Sequence, residues 1–360
     1  SLSKEFVNFW EVPNLLLQKF PAEEFTATTK LTFTAKQDGE QAGMIVMGWD
    51  YSYLSVRKAG DKFILQQVVC KDAEQQHPEQ VKELASFPVE YLTRLGDDPF
   101  GHYIEQALKD NGIGTNLLTY DPVYRTGIQL KEYVKDGHDP AAPYYRKGSA
   151  ASHLSIREID ALDLGEIGLV HVTGIPPALS KEAREATYRL MERARKAQIP
   201  VTFDPNLRPA LWENDEMMRK VLNDLANYAD VVLPGIGECE ILAGTTDKEK
   251  AADFYHQKGA ALVVIKDGKN GAYVSEKKEN GEVVRDMIPG YPVKKVVDTV
   301  GAGDGFAVGV LSGLLKGLPV TECAKRGNAI GSIQVQHRGD NEGLPTEEIL
   351  QSYMAGNIQK

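Results

Sequence analysis

The sequence of 360 residues has few cysteines and no long apolar run, and each shortage excludes a class of protein. Its 3 cysteines, Cys70, Cys239 and Cys323, lie far apart and lack Cys-x-x-Cys spacing. A disulfide framework or a zinc site is therefore not expected, and a reducing compartment fits best. No stretch approaches the roughly 18 apolar residues that a membrane span needs. The first residues also lack the pattern of a secretory signal peptide, so we expect a cytoplasmic protein.

Positive charge is in deficit as well. Lys and Arg number 41 against 51 Asp and Glu, so the formal net charge is −10. This balance argues against a general nucleic-acid or membrane-surface binder, although a local basic pocket remains compatible with it. Hydrophobic residues make up 42% of the chain, which is enough to exclude a disordered polypeptide. At roughly 150 residues per domain, the length predicts two domains or one large one.

The first part of the chain, residues 1–86, has the pattern of short β-strands. Thr-rich, β-branched and aromatic segments follow one another at short intervals, with Asp-Gly, Trp-Asp and Gly-Asp pairs between them; they lie at 25–33, 44–49, 51–57 and 63–69. This spacing predicts an antiparallel meander or part of a sandwich. The aromatics Trp10, Trp49, Tyr51 and Tyr53 are better explained as core than as a carbohydrate-binding surface, which stays the alternative.

From about residue 87 apolar strands alternate with amphipathic helices. We predict helices at 98–111, 180–198, 216–226 and 238–243, and strands at 169–172, 201–204, 231–233 and 261–266. This alternation predicts an α/β fold in which helices cover both faces of a parallel sheet. The segments 123–134 and 143–146 interrupt the alternation and predict a β excursion that serves as a lid.

The strongest local signal is the run D-T-V-G-A-G-D-G-F at 298–306, which precedes an apolar helix at 307–315. Glycines ahead of a helix let backbone N–H groups approach an anion, and the helix N-terminus adds positive potential. Asp304 lies in the first turn, where a carboxylate can accept a proton from an attacking hydroxyl. The alternative is a glycine-rich turn in which Asp304 only caps the helix.

This run matches the C-terminal signature D-T-x-G-A-G-D of the ribokinase-like (PfkB-type) sugar kinases, and the chain resembles that family over 87–360. Within the family it is most similar to 2-keto-3-deoxygluconate kinases, on the segments 126–128, 144–150, 204–209 and 338–340. The resemblance implies a ribokinase-like three-layer fold and transfer of a phosphoryl group from ATP, with Mg²⁺, to the terminal hydroxyl of a sugar acid. Other acid sugars, fructose and nucleosides stay open, because Gln129 stands where close relatives often have Tyr.

The resemblance also implies roles for single residues. Asp304 would be the base, and the amides of Gly301, Ala302 and Gly303 would form an anion hole for the transferring group. This division of roles between a base and an anion hole suits phosphoryl transfer, which depends on positioning and charge neutralisation. An Arg fork suits a carboxylate, and the residues implied to contact the sugar acid are Tyr144, Arg146, Arg208 and Asp340.

For the nucleotide, the loop K-D-G-K-N-G at 266–271 resembles the family's K-x-G-x-x-G loop. The residues implied to contact the nucleotide are Lys266, Gly268, Gly271 and Asn328. Glu238 matches a glutamate that organises Mg²⁺ through water, although Gly235 stands where the family has Asn. Mg²⁺ keeps most of its waters in such sites. His153, His171 and His337 are interpreted as structural or solvated.

Residues 1–86 resemble something else: part of the C-terminal β-sandwich module of family-43 glycoside hydrolases (β-xylosidase type), on the segments 14–21 and 42–48. Complete PfkB-type kinases begin with a strand and a G-G-A-x-x-N segment, and neither stands before Phe87. The sequence thus predicts a sandwich fragment at 1–86 and, at 87–360, a kinase domain without its N-terminal part.

The loss of a central strand leaves its neighbours unpaired, so we expect impaired kinase activity. The alternative is a non-catalytic chimera that binds nucleotide or carbohydrate without turnover. The implied partners are a sugar acid and ATP, with no nucleic acid and no membrane, and a homo-oligomer stays open.

Overall fold

The structure is a computed structural model that describes residues 37, 40–47, 50–59, 62–75, 77, 79–83, 89–130, 143–165 and 167–356. The chain divides into two compact units, Ser1–Pro88 and Val89–Lys360. The strand predicted at 25–33, the segment 14–21, and the aromatics Trp10 and Trp49 lie outside the described residues.

The first unit contains one antiparallel sheet. Its strands pair in sequence order and are β1 (Gln41–Met47), β2 (Tyr51–Ala59), β3 (Lys62–Cys70) and β4 (Gln80–Glu83). Tyr51 and Tyr53 are buried in its core, and their hydroxyls donate to Glu79 at 2.6 and 3.0 Å. The predicted meander is therefore confirmed for these strands, and both tyrosines belong to the core rather than to a surface.

The second unit is built on a six-stranded sheet in the order β14-β13-β12-β11-β10-β9. These strands are β9 (Val170–Thr173), β10 (Val201–Asp204), β11 (Val231–Val232), β12 (Leu262–Lys266), β13 (Ala272–Lys277) and β14 (Val283–Ile288). β9 to β12 run parallel, as the sequence predicts, and β13 and β14 extend the sheet in antiparallel fashion.

Two further pairs of strands lie in this unit. β5 (Thr93–Gly96) pairs in parallel with β6 (Leu118–Asp121). β7 (Ile128–Gln129) pairs in antiparallel fashion with β8 (Tyr144–Tyr145). This second pair forms the β excursion that the sequence predicts between residues 123 and 146.

Helices cover both faces of the six-stranded sheet. The helices of the second unit are α1 (Pro99–Asp110), α2 (Ile156–Ala161), α3 (Pro176–Leu179), α4 (Lys181–Lys196), α5 (Asp215–Leu225), α6 (Ile236–Ala243), α7 (Lys248–Gln257), α8 (Ala302–Leu315), α9 (Val320–Gln334) and α10 (Glu347–Met354). Alternate residues of β12 face opposite layers: Val263 and Ile265 pack with α4 to α7, and Leu262 and Val264 pack with α8 and α9. The result is the predicted three-layer α/β arrangement.

Local capping accounts for the helix boundaries that the sequence predicts. Asp98 begins α1, and its Oδ1 accepts from the N–H groups of Phe100 and Gly101. Ser180 caps α4 by accepting from the N–H of Ala183 at 2.9 Å. α8 begins at Ala302, five residues before the helix that the apolar pattern alone predicts.

α8 and α9 approach each other closely because glycines face each other at their crossing. A Cβ on Gly309 would lie 2.6 Å from the backbone of Gly327, closer than two atoms can approach. Cys70, Cys239 and Cys323 are buried free thiols. Among the described residues, no helix is long and apolar enough to cross a membrane.

Candidate functional site

Two charged side chains meet at the ends of two parallel strands, β10 and β12, that flank β11 in the sheet. Asp204 is the last residue of β10, and Lys266 is the last residue of β12. The ammonium of Lys266 lies 2.9 and 2.7 Å from the two carboxylate oxygens of Asp204. Parallel strands end at one edge of their sheet, which is where open α/β sheets bind ligands. Lys266 also points toward α8, because its Nζ is 4.0 Å from the place of a Cβ on Gly303.

The N-terminus of α8 offers unused N–H groups at this edge. The first bond within the helix runs from the N–H of Gly305 to the carbonyl of Gly301 at 2.7 Å. The N–H groups of Gly303 and Asp304 have no acceptor among the described residues, whereas that of Ala302 donates to Thr299 over 3.4 Å. Such N–H groups and the helix dipole together attract an anion.

Gly301 satisfies two steric conditions at the start of α8. Its φ of 76° is left-handed, a conformation that a side chain disfavours. A Cβ on Gly301 would also lie 2.1 Å from the carbonyl oxygen of Asp340. The loop that carries Asp340 is tied to the same motif, since the N–H of Gly339 donates to Asp298 at 3.3 Å. The structure thus places the backbone of the predicted substrate residue Asp340 directly against the predicted anion hole.

Asp304, the predicted base, is exposed in the first turn of α8. Its Oδ1 accepts from the side-chain amide of Asn206 at 3.1 Å. Asn206 has a left-handed φ of 43°, and its N–H donates to Asp204. Sequence reasoning did not assign Asn206 to the site, although it lies in the D-P-N-L-R-P segment that carries part of the family resemblance. This amide orients the carboxylate of Asp304.

Glu238, the predicted indirect metal residue, stands beside the same loop. Its Oε1 accepts from the N–H of Leu207 at 2.8 Å, and its Oε2 accepts from the N–H of Gly235 at 2.6 Å. Each carboxylate oxygen keeps a second acceptor direction for water. Among the described residues, no group of three His, Cys, Asp or Glu side chains could hold a metal ion. The donors present therefore fit a hydrated Mg²⁺ held through water better than a cage of protein ligands.

The charges at this edge act strongly on one another. Burial, together with the charges of Glu238 and Asp304, raises the pKa of Asp204 to about 6 against the opposing effect of Lys266. Burial acts to lower the pKa of Lys266, but the carboxylates of Asp204, Glu238 and Asp304 outweigh it, so the pKa of Lys266 is raised. Lys266 is thus held as a cation facing Asp204, with its charge close to the amides of α8.

His171 lies near Lys266 and Asp304. Its position in the sequence, far from both residues, does not reveal this. Its side chain is partly open to solvent, but desolvation by its surroundings and the positive charge of Lys266 together lower its pKa to about 4 against the effect of Asp304. Its Nδ1 lies 2.8 Å from the hydroxyl of Thr202. His171 is therefore neutral at pH 7 and takes a structural contact, in keeping with its interpretation from the sequence. His337 contacts the Ile333 carbonyl through its Nδ1, at 3.0 Å.

The predicted sugar-acid residues differ in their surroundings. Arg146 donates to Oε1 of Gln129 at 2.6 Å, so the atypical Gln129 directly contacts a predicted substrate residue. Tyr91 is 50% exposed, and desolvation raises the pKa of its hydroxyl overall, while the charge of Arg146 lowers that pKa and the charge of Asp304 raises it. Arg208 donates to the Leu207 carbonyl at 2.8 Å. The side chain of Tyr144 lies outside the described residues.

The predicted nucleotide residues gather around the end of β14. The loop after β12 closes when the N–H of Asp267 donates to the Gly271 carbonyl at 2.8 Å, and Gly268 lies within this loop. Gly271 approaches the carbonyl of Ile288 so closely that a Cβ would lie 2.0 Å from it. The amide of Asn328 donates to that carbonyl and to the next one, at 3.1 Å each. Gly271 and Asn328 thus border the same turn.

As a whole, the arrangement can hold an anion at the α8 amides beside a fixed cation, with a carboxylate placed to accept a proton. The same loops position all three of these groups. This combination serves transfer of an anionic group to a hydroxyl.

Two family sequence models match the chain. The model described as "pfkB family carbohydrate kinase" matches residues 81–347, and the one described as "Beta xylosidase C-terminal Concanavalin A-like domain" matches residues 2–94. The two matches overlap at the junction of the two units. Both likenesses that the sequence predicts are confirmed by these matches.

Individual relatives agree with the first match. The 2-dehydro-3-deoxygluconokinase of Bacillus subtilis is 46% identical over 75% of this chain and 82% of its own length. A PfkB protein from Polaromonas sp. has a crystal structure with a TM-score of 0.66 and 44% identity, over 74% of this chain and 83% of that one. A Vibrio cholerae fructokinase with fructose, ADP and calcium bound has a TM-score of 0.66 and 26% identity, over 74% and 85% of the two chains.

Proposed function

This chain belongs to the pfkB family of carbohydrate kinases, and on that premise we propose that it transfers the γ-phosphoryl group of ATP to a sugar acid. The proposed substrate is 2-keto-3-deoxygluconate, and the proposed product is its 6-phosphate. The observation that carries the proposal is the Asp304 carboxylate in the first turn of α8, whose Gly303 and Asp304 N–H groups have no acceptor among the described residues, close to the cation of Lys266. The substrate follows the name of the Bacillus subtilis relative.

In the proposed reaction, Asp304 accepts the proton of the terminal hydroxyl as that oxygen attacks the γ-phosphorus. The bond from the γ-phosphorus to the bridging oxygen breaks, and ADP leaves with the electron pair. The amides of Gly301, Ala302 and Gly303 and the charge of Lys266 stabilise the negative charge on the transferring group. Asn206 holds the carboxylate of Asp304 in its place.

The sugar acid would be bound by two arginines and two further residues. Arg146 and Arg208 provide guanidinium forks for its carboxylate. Tyr144 and Asp340 would contact its hydroxyl groups. Fructose is the main competing substrate, because the related Vibrio cholerae structure contains fructose, and Gln129 in contact with Arg146 makes the sugar pocket atypical.

The nucleotide would lie along the loop after β12. Lys266, Gly268, Gly271 and Asn328 are the proposed contacts, and the Vibrio cholerae relative was crystallised with ADP. Glu238 would hold Mg²⁺ through water, and a bound Mg²⁺ would neutralise phosphate charge. ATP is the proposed donor. A cytoplasmic location and a homo-oligomer stay predictions.

We further propose that this chain turns over slowly. The domain division at 1–86 and 87–360 assigns the kinase region no N-terminal strand of its own, and β9 is an unpaired end of the sheet among the described residues. The second candidate function is therefore a chimera that binds nucleotide or carbohydrate without turnover. The match of residues 2–94 to a β-xylosidase domain favours keeping this candidate.

The experiment is a panel of sugar acids, fructose and nucleosides, assayed for ADP release with Mg·ATP, on the full chain and on Asp304→Asn. We expect turnover of 2-keto-3-deoxygluconate, and a loss of about 10³-fold in Asp304→Asn, because the substituted amide cannot accept the proton. The matched control is Asp215→Asn, since Asp215 is likewise an exposed acid in the first turn of a helix.

Two results would contradict the proposal in different ways. Equal turnover by Asp304→Asn and the unchanged chain would remove Asp304 from the reaction. Nucleotide binding without turnover of any sugar would favour the non-catalytic candidate.

A further inference from the structure

One buried carboxylate joins the two halves of the candidate site. Asp204 is the last residue of β10, and its side chain is buried. Its two oxygens face the ammonium of Lys266 at 2.9 and 2.7 Å, and Oδ1 also accepts from the N–H of Asn206 at 3.2 Å. Asp204 therefore contacts both the cation beside the anion hole and the loop whose amide reaches Asp304.

Stability alone does not account for this ion pair. The side chains of Asp204 and Lys266 are 2% and 17% exposed, so both charges lose most of their hydration. The attraction between two such charges often only balances this loss, and a packed apolar pair can be equally stable. The pair is better explained by the groups that it positions.

On one side, Asp204 fixes the direction of Lys266. A lysine ammonium ends a flexible four-carbon chain and has no preferred direction of its own. Here two carboxylate oxygens hold the ammonium, and the N–H of Lys266 donates to the Pro234 carbonyl at 2.8 Å. The ammonium held in this way lies 4.0 Å from the place of a Cβ on Gly303, beside the predicted anion hole.

On the other side, Asp204 fixes the turn that orients the proposed base. The bond from the N–H of Asn206 to Oδ1 of Asp204 closes a turn of the kind that aspartate side chains favour. In this turn Asn206 has its left-handed φ of 43°, and its amide reaches Oδ1 of Asp304 at 3.1 Å. Loss of the Asp204 oxygen would release the turn and, with it, the carboxylate of Asp304.

Asp204 can act on both sides because its own position is rigid. Its strand, β10, pairs in parallel with β9 on one side and β11 on the other. The carbonyl of Asp204 also accepts from the N–H of Gly174 at 2.9 Å. A side chain on such a strand holds its partners more precisely than one on a loop.

We propose that Asp204 is a positioning residue for the phosphoryl transfer, which fixes the Lys266 ammonium at the anion hole and, through Asn206, fixes the carboxylate of Asp304. Asp204 itself is buried and acts on the reaction only through these two groups. The inference rests on the proposed function, so its tests include measurements that need no turnover.

The first measurement follows the reactivity of Lys266. The full chain is labelled with acetic anhydride at pH 8, and labelling of Lys266 is compared with that of Lys181, whose side chain is 86% exposed. Asp204→Asn removes the charge but keeps an oxygen for the N–H of Asn206. We expect Lys266 of this variant to react about fivefold faster or more, because loss of the carboxylate favours the uncharged amine.

The matched control for the loss of a buried ion pair is Asp121→Asn. Asp121 also ends a parallel strand, β6, is 3% exposed and pairs with Arg94 at 2.8 Å. Its carboxylate also accepts from the N–H groups of Val123 and Tyr124, and none of these partners belongs to the site. We therefore expect labelling of Lys266 to stay within about twofold. Equal labelling in Asp204→Asn and Asp121→Asn would overturn the proposal.

The second measurement follows hydrogen exchange at the Asn206 amide. Asp204→Ala removes the oxygen to which this N–H donates, whereas Asp204→Asn keeps one. We expect exchange at Asn206 to be about tenfold faster in Asp204→Ala than in Asp204→Asn, since an N–H without an acceptor loses its protection. Equal exchange in the two variants would overturn the role of Asp204 in orienting Asp304.

Turnover shows whether these positions matter for the reaction. For Asp204→Asn we expect kcat to fall about 10²-fold while KM for 2-keto-3-deoxygluconate stays within about threefold, because a displaced group affects the transition state more than binding. In a Lys266→Gln background the same substitution costs less than about threefold, because Asp204 acts through Lys266. An undiminished loss in that background would overturn the proposal.

Asp204→Glu keeps the test decisive if the other variants fail to fold. It retains the charge and lengthens the side chain by one methylene, so Lys266 stays paired while its ammonium moves. We expect unchanged labelling of Lys266 together with a fall in kcat of about tenfold or more. A kcat equal to that of the unchanged chain would show that charge rather than position matters, and would overturn the proposal.

These outcomes separate the positioning role from the proposed function. If the unchanged chain turns over no sugar while labelling and exchange respond as expected, the kinase activity fails and the positioning of Lys266 and Asn206 stands. If the chain turns over sugar and neither labelling nor exchange responds, the positioning role fails and the kinase activity stands.

Discussion

At the residue scale, the hydrogen bond between Asn206 and Asp304 orients the proposed catalytic carboxylate. They lie 98 residues apart, and a single amide-to-carboxylate bond of 3.1 Å joins them. The glycine-rich run predicts Asp304 because a helix N-terminus with an acid in its first turn is a local pattern. It cannot predict Asn206, because the path of the chain between the two residues decides which amide reaches the carboxylate.

The two glycines of the anion hole differ in what a methyl group would meet. For Gly301→Ala we expect a loss of at least about 2 kcal/mol in the free energy of unfolding, because φ is left-handed and the Asp340 carbonyl occupies the place of the Cβ. Urea denaturation followed by circular dichroism measures this loss.

The matched control is Gly303→Ala, where the nearest atom to a new Cβ is Lys266 Nζ at 4.0 Å. We expect its stability to change by less than about 0.5 kcal/mol, while its turnover falls because the methyl group enters the anion hole. Equal stability of the two variants would show that the turn at Gly301 relaxes to admit a side chain.

At the scale of elements, α8, α9 and α10 are fastened together by one buried cation. Arg326 of α9 is 3% exposed and donates to both carboxylate oxygens of Glu347 at 2.8 Å each. Its guanidinium also contacts Ser312 of α8 at 3.2 Å. Since a bidentate pair with one buried partner is strong, the last helix depends on this contact.

The pair predicts how stability depends on pH. The hydrogen bonds from Arg326 hold the pKa of Glu347 well below its ordinary value of 4.5. The stabilisation is therefore fully present above pH 4.5 and is lost as the pH falls below that value. For Glu347→Gln we expect a loss of about 1–3 kcal/mol at pH 7, since Arg326 keeps a buried charge without a counter-ion.

Thermal unfolding of Glu347→Gln and of the unchanged chain between pH 7 and pH 3 measures this loss of stability. We expect the loss to become smaller in acid. The control is Glu216→Gln, an exposed acid in the first turn of α5 with no ion pair among the described residues. A difference between Glu347→Gln and the unchanged chain that stays constant down to pH 3 would contradict the assignment.

Secondary structure was predictable where its signals are local. The caps Asp98 and Ser180 and the apolar strands β9 to β12 follow from patterns within a few residues. β13 and β14 were not predicted, because a hairpin added to a parallel sheet has no distinct periodicity. The start of α8 was placed late, since its first turn is glycine and acid rather than apolar.

At the scale of the whole molecule, the second unit has a sheet that ends at β9 and a separate pair of strands at β5 and β6. We expect kcat/KM for 2-keto-3-deoxygluconate to be at least about 10²-fold below that of the Bacillus subtilis relative. A displacement of the reacting groups by about an ångström is enough to lower a rate by about that factor. Parallel assays of ADP release measure the ratio.

The affinity for ATP is the internal control for this comparison of kcat/KM. The loop after β12 is closed by the bond from the N–H of Asp267 to the Gly271 carbonyl, and the nearby turn is held by the amide of Asn328. We expect the two proteins to bind ATP within about tenfold of each other. Turnover within a few-fold of the relative would show that the open edge does not limit the reaction.

The motif at 298–306, the helix caps and the apolar strands are all readable from the order of residues, and through them so is the family resemblance. These features depend on interactions within a few residues, so the order of side chains is enough to specify them. Tertiary packing alone sets which backbone carbonyl faces Gly301, which amide reaches Asp304 and in which order the strands of the six-stranded sheet pair. Those contacts join residues that are distant along the chain, and they depend on how the packed layers bring strand ends together.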